Sequence, residues 1–250
     1  MNSKEHLRIL HGGDNCLILD LGETISIGIN RNVQRLNSWI RSRSFPGLIE
    51  TVPTYRSLAV YFEPCLFDPE DFCRELEDTD RLLSGPDDQV YTTIQIPVFY
   101  GDELGPDLHD LALYHGLSEE EVIQIHSGPV YYCYMLGFTP GFPYLGGLDP
   151  RIATPRLEEP RKVIPPGSVG IAGSQTGIYP IESPGGWRLI GRTPLILFDP
   201  ALDPPVLIQP GWKITFRPVS SNEYHDIHQK VLSGNYNPEI HLLEEDQYEN

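Results

Sequence analysis

Pro165-Pro-Gly-Ser-Val-Gly-Ile-Ala-Gly-Ser-Gln-Thr-Gly-Ile-Tyr-Pro-Ile-Glu-Ser-Pro-Gly-Gly-Trp-Arg-Leu-Ile-Gly-Arg-Thr-Pro194 reads as short apolar runs cut by glycine and proline. Ser168 to Ala172, Gly177 to Ile181 and Trp187 to Ile190 are long enough for strands and too short for helices. The same rhythm continues outward, at Val130 to Leu136, Leu195 to Phe198, Val206 to Ile208 and Lys213 to Phe216. Many short strands with turn residues between them predict a closed barrel or a sandwich. Residues 137–194 hold eleven glycines and nearly as many prolines. Interleaved Phe138, Phe142, Tyr144, Ile171, Tyr179, Trp187 and Ile190 argue against disorder, which lacks large apolar groups. These are shaped loops.

Upstream, the pattern changes. Leu7 to Leu10 and Cys16 to Leu21 flank a Gly-Gly-Asp-Asn turn and predict a hairpin. Ile29, Val33, Leu36 and Ile40 share one face of a helix, and Leu48 to Val52 and Ser57 to Phe62 read as strands. Asp68-Pro69-Glu70-Asp71 opens a second helix, with Asp as cap and Pro at the first position. It should run to about Leu83. The order β-β-α-β-β-α, closed by a strand at Tyr91 to Val98, predicts a small α/β open sheet. Gly85-Pro86-Asp87-Asp88 is the candidate boundary between a domain over 1–86 and a second over 87–220. The second has helices at about Asp107 to His115 and Glu119 to His126, the latter with a Ser118/Glu121 capping box. Residues 221–250 are expected as an acidic tail, with a short helix allowed ahead of an end frayed from Glu239.

The composition excludes several classes. Net charge is −17, which disfavours nucleic acid and anionic membranes as partners. No apolar run reaches the roughly 18 residues of a membrane helix, and no secretory pattern follows the N-terminus, so a cytoplasmic location is expected. Cys16, Cys65, Cys73 and Cys133 form no CxxC pair and no metal-ligand spacing. No GxxxxGK[ST] loop, GxGxxG fingerprint or GxSxG elbow is present. Only four lysines occur and no Met-Lys pair, so this chain carries no biotin-attachment motif.

Charge singles out the glycine-rich segment. Residues 137–194 carry six basic side chains (Arg151, Arg156, Arg161, Lys162, Arg188, Arg192) against four acidic ones, a net +2 inside an acidic chain. A positive, glycine-rich surface points to an anionic small molecule. Arg151, Arg161 and Arg188 are as readily loop-fixing ion pairs; Arg156 and Arg192 are the better candidates for ligand.

Three stretches resemble one family: Leu136-Gly-Phe-Thr-Pro-Gly-Phe-Pro-Tyr-Leu-Gly-Gly-Leu148, Pro165 to Pro180, and Ser183 to Pro194. The chain resembles the allophanate hydrolase subunit 1 family, which includes the B subunit of 5-oxoprolinases and a sporulation histidine-kinase inhibitor. The resemblance implies an α+β chain: a small N-terminal α/β open-sheet domain, then a C-terminal cyclophilin-like β-barrel. It implies an enzyme assembled with two 5-oxoprolinase partners, a barrel protein of the C-subunit type and a protein of the A-subunit type. Together they would open 5-oxo-L-proline to L-glutamate with ATP and Mg2+. The alternative is a regulatory module that binds a histidine kinase. A proline isomerase would rest on fold analogy alone.

On that reading, Arg156 and Arg192 would hold phosphate or carboxylate, since a guanidinium fork suits both. Gln175 would pair with the lactam amide and Tyr179 would donate to its oxygen. His126 is the candidate acid or base, and equally a helix-end histidine favoured by the dipole. Gly141, Gly167, Gly185 and Gly186 would let backbone amides reach the ligand, or are simple turns. Tyr144 and Trp187 line the site, or are core. No metal ligand set is assigned; Asp149 could hold magnesium but suits a turn before Pro150 equally well.

Overall fold

The computed structural model describes residues 7–77 and 90–244. The chain divides into two compact units, Met1–Asp88 and Gln89–Asn250. The expected end of the second helix near Leu83, the boundary at Gly85 to Asp88 and the last acidic residues from Glu245 lie outside the described residues.

In the first unit, β1 (Arg8–His11) and β2 (Cys16–Asp20) form the expected hairpin. With β3 (Leu48–Pro53) and β4 (Ser57–Phe62) they make an antiparallel open sheet of order β1-β2-β4-β3. Helix α1 (Ile27–Arg41) starts at Ser26, whose hydroxyl accepts from the Ile29 amide at 3.2 Å. Such a cap is worth about 1 kcal/mol. Helix α2 (Pro69–Glu77) is capped by Asp68, whose Oδ1 accepts from the Glu70 and Asp71 amides. Alternation along β2 and β4 turns Leu17, Leu19, Leu58 and Val60 to one side, where they meet Val33, Leu36 and Ile40 of α1 and Phe72 of α2. All are buried, and truncating one of the leucines to alanine would cost ~2–5 kcal/mol.

In the second unit, seven strands close on themselves: β5 (Val90–Tyr100), β6 (Tyr131–Leu136), β7 (Pro143–Gly146), β9 (Ser168–Ala172), β10 (Gln175–Ile178), β12 (Arg188–Arg192) and β13 (Lys213–Pro218). The ring runs β12-β9-β10-β7-β6-β13-β5 and returns to β12. Six neighbouring pairs are antiparallel and one, β5 with β13, is parallel. Direction must match itself after one circuit, so an odd ring needs at least one parallel pair. The interior is filled by Ile94, Ile96, Val98, Val169, Ile171, Ile178, Ile190 and Ile214, all fully buried. Helices α3 (Leu108–His115) and α4 (Glu119–Ser127) contribute Leu108, Leu111 and Val122 to this core. The Ser118/Glu121 capping box is formed in both directions.

Some expectations need correction. The strand at Tyr91 to Val98 does not close the first sheet: it is β5, and its alternating Ile94, Ile96 and Val98 fill the barrel. Alternation identifies a strand's buried face, not its sheet. Leu195 to Phe198 and Val206 to Ile208 are joined only by the bridge Phe198↔Val206, in a stretch where Pro194, Pro200, Pro204 and Pro205 lack amide donors. Residues from 221 do not begin as a tail. Helix α5 (Ser221–Leu232) buries Ile227 in the barrel core, and β14 (Ile240–Glu244) pairs with the first half of β5, where fraying was expected. The two-stranded antiparallel sheet of β8 (Arg161–Ile164) and β11 (Ser183–Gly185) was also not foreseen.

Candidate functional site

Gly170 on β9 and Gly177 on β10 are register partners, and both face away from the barrel interior. A Cβ at 170 would sit 3.1 Å from Trp187 Cβ, and one at 177 would sit 3.0 Å from the Phe142 ring. The two glycines thus leave a flat patch on which aromatic rings lie. Phe142 is the hub: its ring centroid is 5.3 Å from Trp187, 5.2 Å from Tyr179 and 5.2 Å from Tyr144, each edge to face. Ile164 of β8, Ala172 and Leu189 complete this second core.

Tyr179 hangs its hydroxyl in this cluster. The Trp187 backbone amide hydrogen-bonds to the hydroxyl, and burial pushes its pKa up to about 12, against the opposing pull of Trp187, Arg156 and Arg161. The hydroxyl is therefore protonated at neutral pH and is a donor. Arg156 stands beside it, exposed, with no ion pair among the described residues. Its Cβ is 3.8 Å from where a Cβ at Gly186 would be. Arg156, Tyr179, Gly185, Gly186, Trp187 and Tyr144 are therefore gathered on one face.

The other basic residues divide as their charge pairs dictate. Arg151 grips Asp149 through Nε and Nη2, which also commits that carboxylate. Arg161 reaches buried Asp107 at 2.7 Å, and Asp107 also accepts from the Leu189 amide. Arg188 donates to the Pro155 carbonyl. These three fix loops. Arg192 pairs in register with Ser168, whereas Gln175 pairs with Ala172 at the other end of β9. Those positions lie four residue steps apart along the strand, about 13 Å. Gln175 and Arg192 do not share a pocket; Arg192 lines a separate cavity beside α5.

His126 is not at this face. It is fully buried, ringed by Tyr100, Tyr131 and Phe216, and burial lowers its pKa to about 3. Its Nδ1 is 2.8 Å from the Tyr100 hydroxyl and its Nε2 is 2.9 Å from Thr176 Oγ1. The Thr176 hydroxyl spends its proton on the Gly170 carbonyl, so it accepts from Nε2–H, and Tyr100 donates to Nδ1. A neutral imidazole with both nitrogens engaged serves the core, not proton transfer. The glycine reading is corrected similarly. At 185 a Cβ would lie 2.4 Å from Tyr179 Oη, and at 167 (φ +81°) 2.4 Å from the Thr193 carbonyl. Gly141 (φ +80°) turns against Phe198 and Val206. The protein's own packing requires these three. Gly186 has nothing nearer than 3.5 Å and no unusual φ.

Sequence reasoning passed over Phe142 as a hub, and Tyr224 and His228 altogether. The last two sit four apart on α5, whose start was readable in Ser220-Ser-Asn-Glu223, a capping-box spacing.

Residues 7–208 match the family described as carboxyltransferase domain, subdomain C and D. The chain is 43% identical over 223 residues to the 5-oxoprolinase B subunit of Bacillus subtilis (strain 168), covering 85% of this chain and 93% of that one. It is 41% identical over 210 residues to the 5-oxoprolinase B subunit of Escherichia coli O157:H7, covering 82% and 93%. The solved structure of TTHA0988 superposes with a TM-score of 0.73 at 35% identity, covering 82% of this chain but only 40% of that longer chain.

Proposed function

The chain belongs to the carboxyltransferase subdomain C and D family as a homologue of the 5-oxoprolinase B subunits, and from that premise we propose that it is one subunit of an ATP-dependent 5-oxoprolinase. The observation that carries this reading is the 43% identity sustained over 85% of the chain, with the motif-bearing segment building the aromatic face.

A lactam resists hydrolysis because its carbonyl is a poor electrophile. When the lactam oxygen takes the terminal phosphoryl group of ATP, ADP leaves and the ring carbon becomes open to water. The C–N bond of that water adduct breaks to give an acyl phosphate and a free amine, and a second water then releases phosphate and L-glutamate. On this chain, Arg156 stabilises anionic charge with an unopposed guanidinium. Tyr179, held protonated, donates to the oxygen on which charge gathers. Gln175, Tyr144 and Trp187 shape the face, and Gly186 leaves room for approach. Arg192 supplies positive charge in the adjoining cavity. Among the described residues no group of three or more His, Cys, Asp and Glu gathers as a metal site. Partners of the C-subunit type and the A-subunit type complete the reaction. No helix among the described residues is long and apolar enough to cross a membrane.

The test is reconstitution with a second barrel protein and a protein of the A-subunit type, followed through 5-oxo-L-proline-dependent ADP release. Arg156→Ala should abolish turnover at unchanged melting temperature; ADP release indifferent to 5-oxo-L-proline would overturn the reading.

A further inference from the structure

Consecutive residues Tyr179 and Pro180 look in different directions: the tyrosine ring enters the aromatic cluster, while the proline lines a cavity of about 490 Å³. That volume is in the range of small-molecule sites. Among its polar lining residues, which include Glu182, Thr193, Tyr224 and His228, the guanidinium is that of Arg192. The guanidinium donates to the Tyr224 hydroxyl of α5, and its Nε is buried without any hydrogen-bond partner. Water cannot reach that Nε, so a ligand in the cavity meets the rest of the half-buried Arg192 side chain. No carboxylate among the described residues lies within ion-pair distance of Arg192, although exposed Glu182 stands on the cavity wall. Much of the remaining wall is apolar, from Pro194, Leu195 and Phe198.

The scaffold around Arg192 is stiff. Gly167, at φ +81°, admits the arginine stem, since a Cβ there would press within 3.3 Å of Arg192 Cγ. Tyr224 is braced by the His228 ring, stacked at 6.1 Å and 16°. Both belong to α5, which lies beyond the family-matched residues 7–208.

We propose that this cavity binds a small organic monocarboxylate, with its carboxylate on Arg192 and its apolar body against the proline and leucine walls, and that α5 is the part of the chain that completes the site. One guanidinium, offset by Glu182 at the wall, suits a single negative charge better than a polyphosphate. Walls of proline, leucine and phenylalanine suit a compact carbon skeleton better than inorganic phosphate. This goes beyond the preceding proposal, because the cavity is separate from the face that carries Arg156, Gln175 and Tyr179 and would be a second site; it rests on that reading only for the choice of 5-oxo-L-proline as a probe.

The experiment uses the full chain and four probes: 5-oxo-L-proline, cyclopentanecarboxylate, 5-oxo-L-prolinamide and inorganic phosphate. Binding is read by calorimetry and by the nitrogen-15 signal of the Arg192 side chain. The two carboxylates should bind and move the Arg192 Nε signal, while the amide and phosphate should not. Arg192→Gln should weaken carboxylate binding by at least about tenfold, the scale of a lost charge-assisted hydrogen bond. Tyr224→Phe, which keeps the ring that walls the cavity, should weaken it less. Binding of cyclopentanecarboxylate by a chain whose reconstituted complex ignores 5-oxo-L-proline would support the site and defeat the oxoprolinase reading. Failure of both carboxylates to bind, equal binding by Arg192→Gln, or tighter binding of phosphate would overturn the proposal.

Discussion

The Nε2–H of His126 is donated to Thr176 Oγ1 at 2.9 Å, because the threonine proton is already spent on Gly170 O. A single direction of donation thus runs from Tyr100 through imidazole and hydroxyl to a backbone carbonyl of β9. Protonating Nδ1 would set two donors against each other inside the barrel.

Stability should therefore depend on pH through this residue. Its folded pKa, about 3, lies below the ordinary value of 6.5, so the unfolded chain binds the extra proton first. The contribution is fully present above pH 6.5 and is lost as pH falls toward 3, at up to about 1.4 kcal/mol per pH unit. Urea titrations at pH 7.5 and 5.5 should show the loss in the wild-type chain. His126→Gln should be less stable at pH 7.5 and change less between the two values; an equal change in both would refute the assignment.

Gly185→Ala and Gly186→Ala should separate packing from ligand approach. A methyl at 185 meets Tyr179 Oη at 2.4 Å and Ile164 at 2.9 Å, and should cost ~1–3 kcal/mol in a denaturation curve. At 186 the nearest atom is 3.5 Å away, so the melting temperature should hold while ADP release by the complex falls.

Asp107→Ala should be among the most damaging changes outside the apolar core. It leaves the Arg161 guanidinium with only the Trp187 carbonyl at 3.4 Å, and takes from the Leu189 amide its carboxylate acceptor. Losing one partner of a buried ion pair costs about 3–5 kcal/mol, measurable by equilibrium unfolding.

Arg156→Ala and Arg151→Ala should behave oppositely in turnover. Arg156 has no acidic partner among the described residues and stands by Tyr179, so its loss should lower ADP release by about a hundredfold or more. Arg151 is engaged with Asp149 at the surface, and its replacement should leave the rate within about twofold.

Much of the architecture was legible. Ser57 to Phe62 and Ser168 to Ala172 matched their strands, because apolar runs bounded by turn residues have few other solutions. What escaped was partnership. Nothing in Tyr91 to Val98 says that its neighbours are residues 188–192, 213–218 and 240–244. The site was legible to the same degree. Glycine and arginine content located the segment, but a +2 excess cannot show that Arg151, Arg161 and Arg188 are spent on Asp149, Asp107 and Pro155. His126 misled because its near-neutral reference value says nothing of the rings around it. Gly167 and Gly185 looked like ligand clearances, yet they clear Thr193 and Tyr179.

The parallel β5–β13 seam sets an order of events during synthesis. β5 leaves the ribosome early in the second unit, yet each strand that pairs with it comes at residue 188 or later. For roughly ninety residues of translation its Ile94, Ile96 and Val98 have no sheet to join, so the nascent unit must wait for its own far end before it can shut.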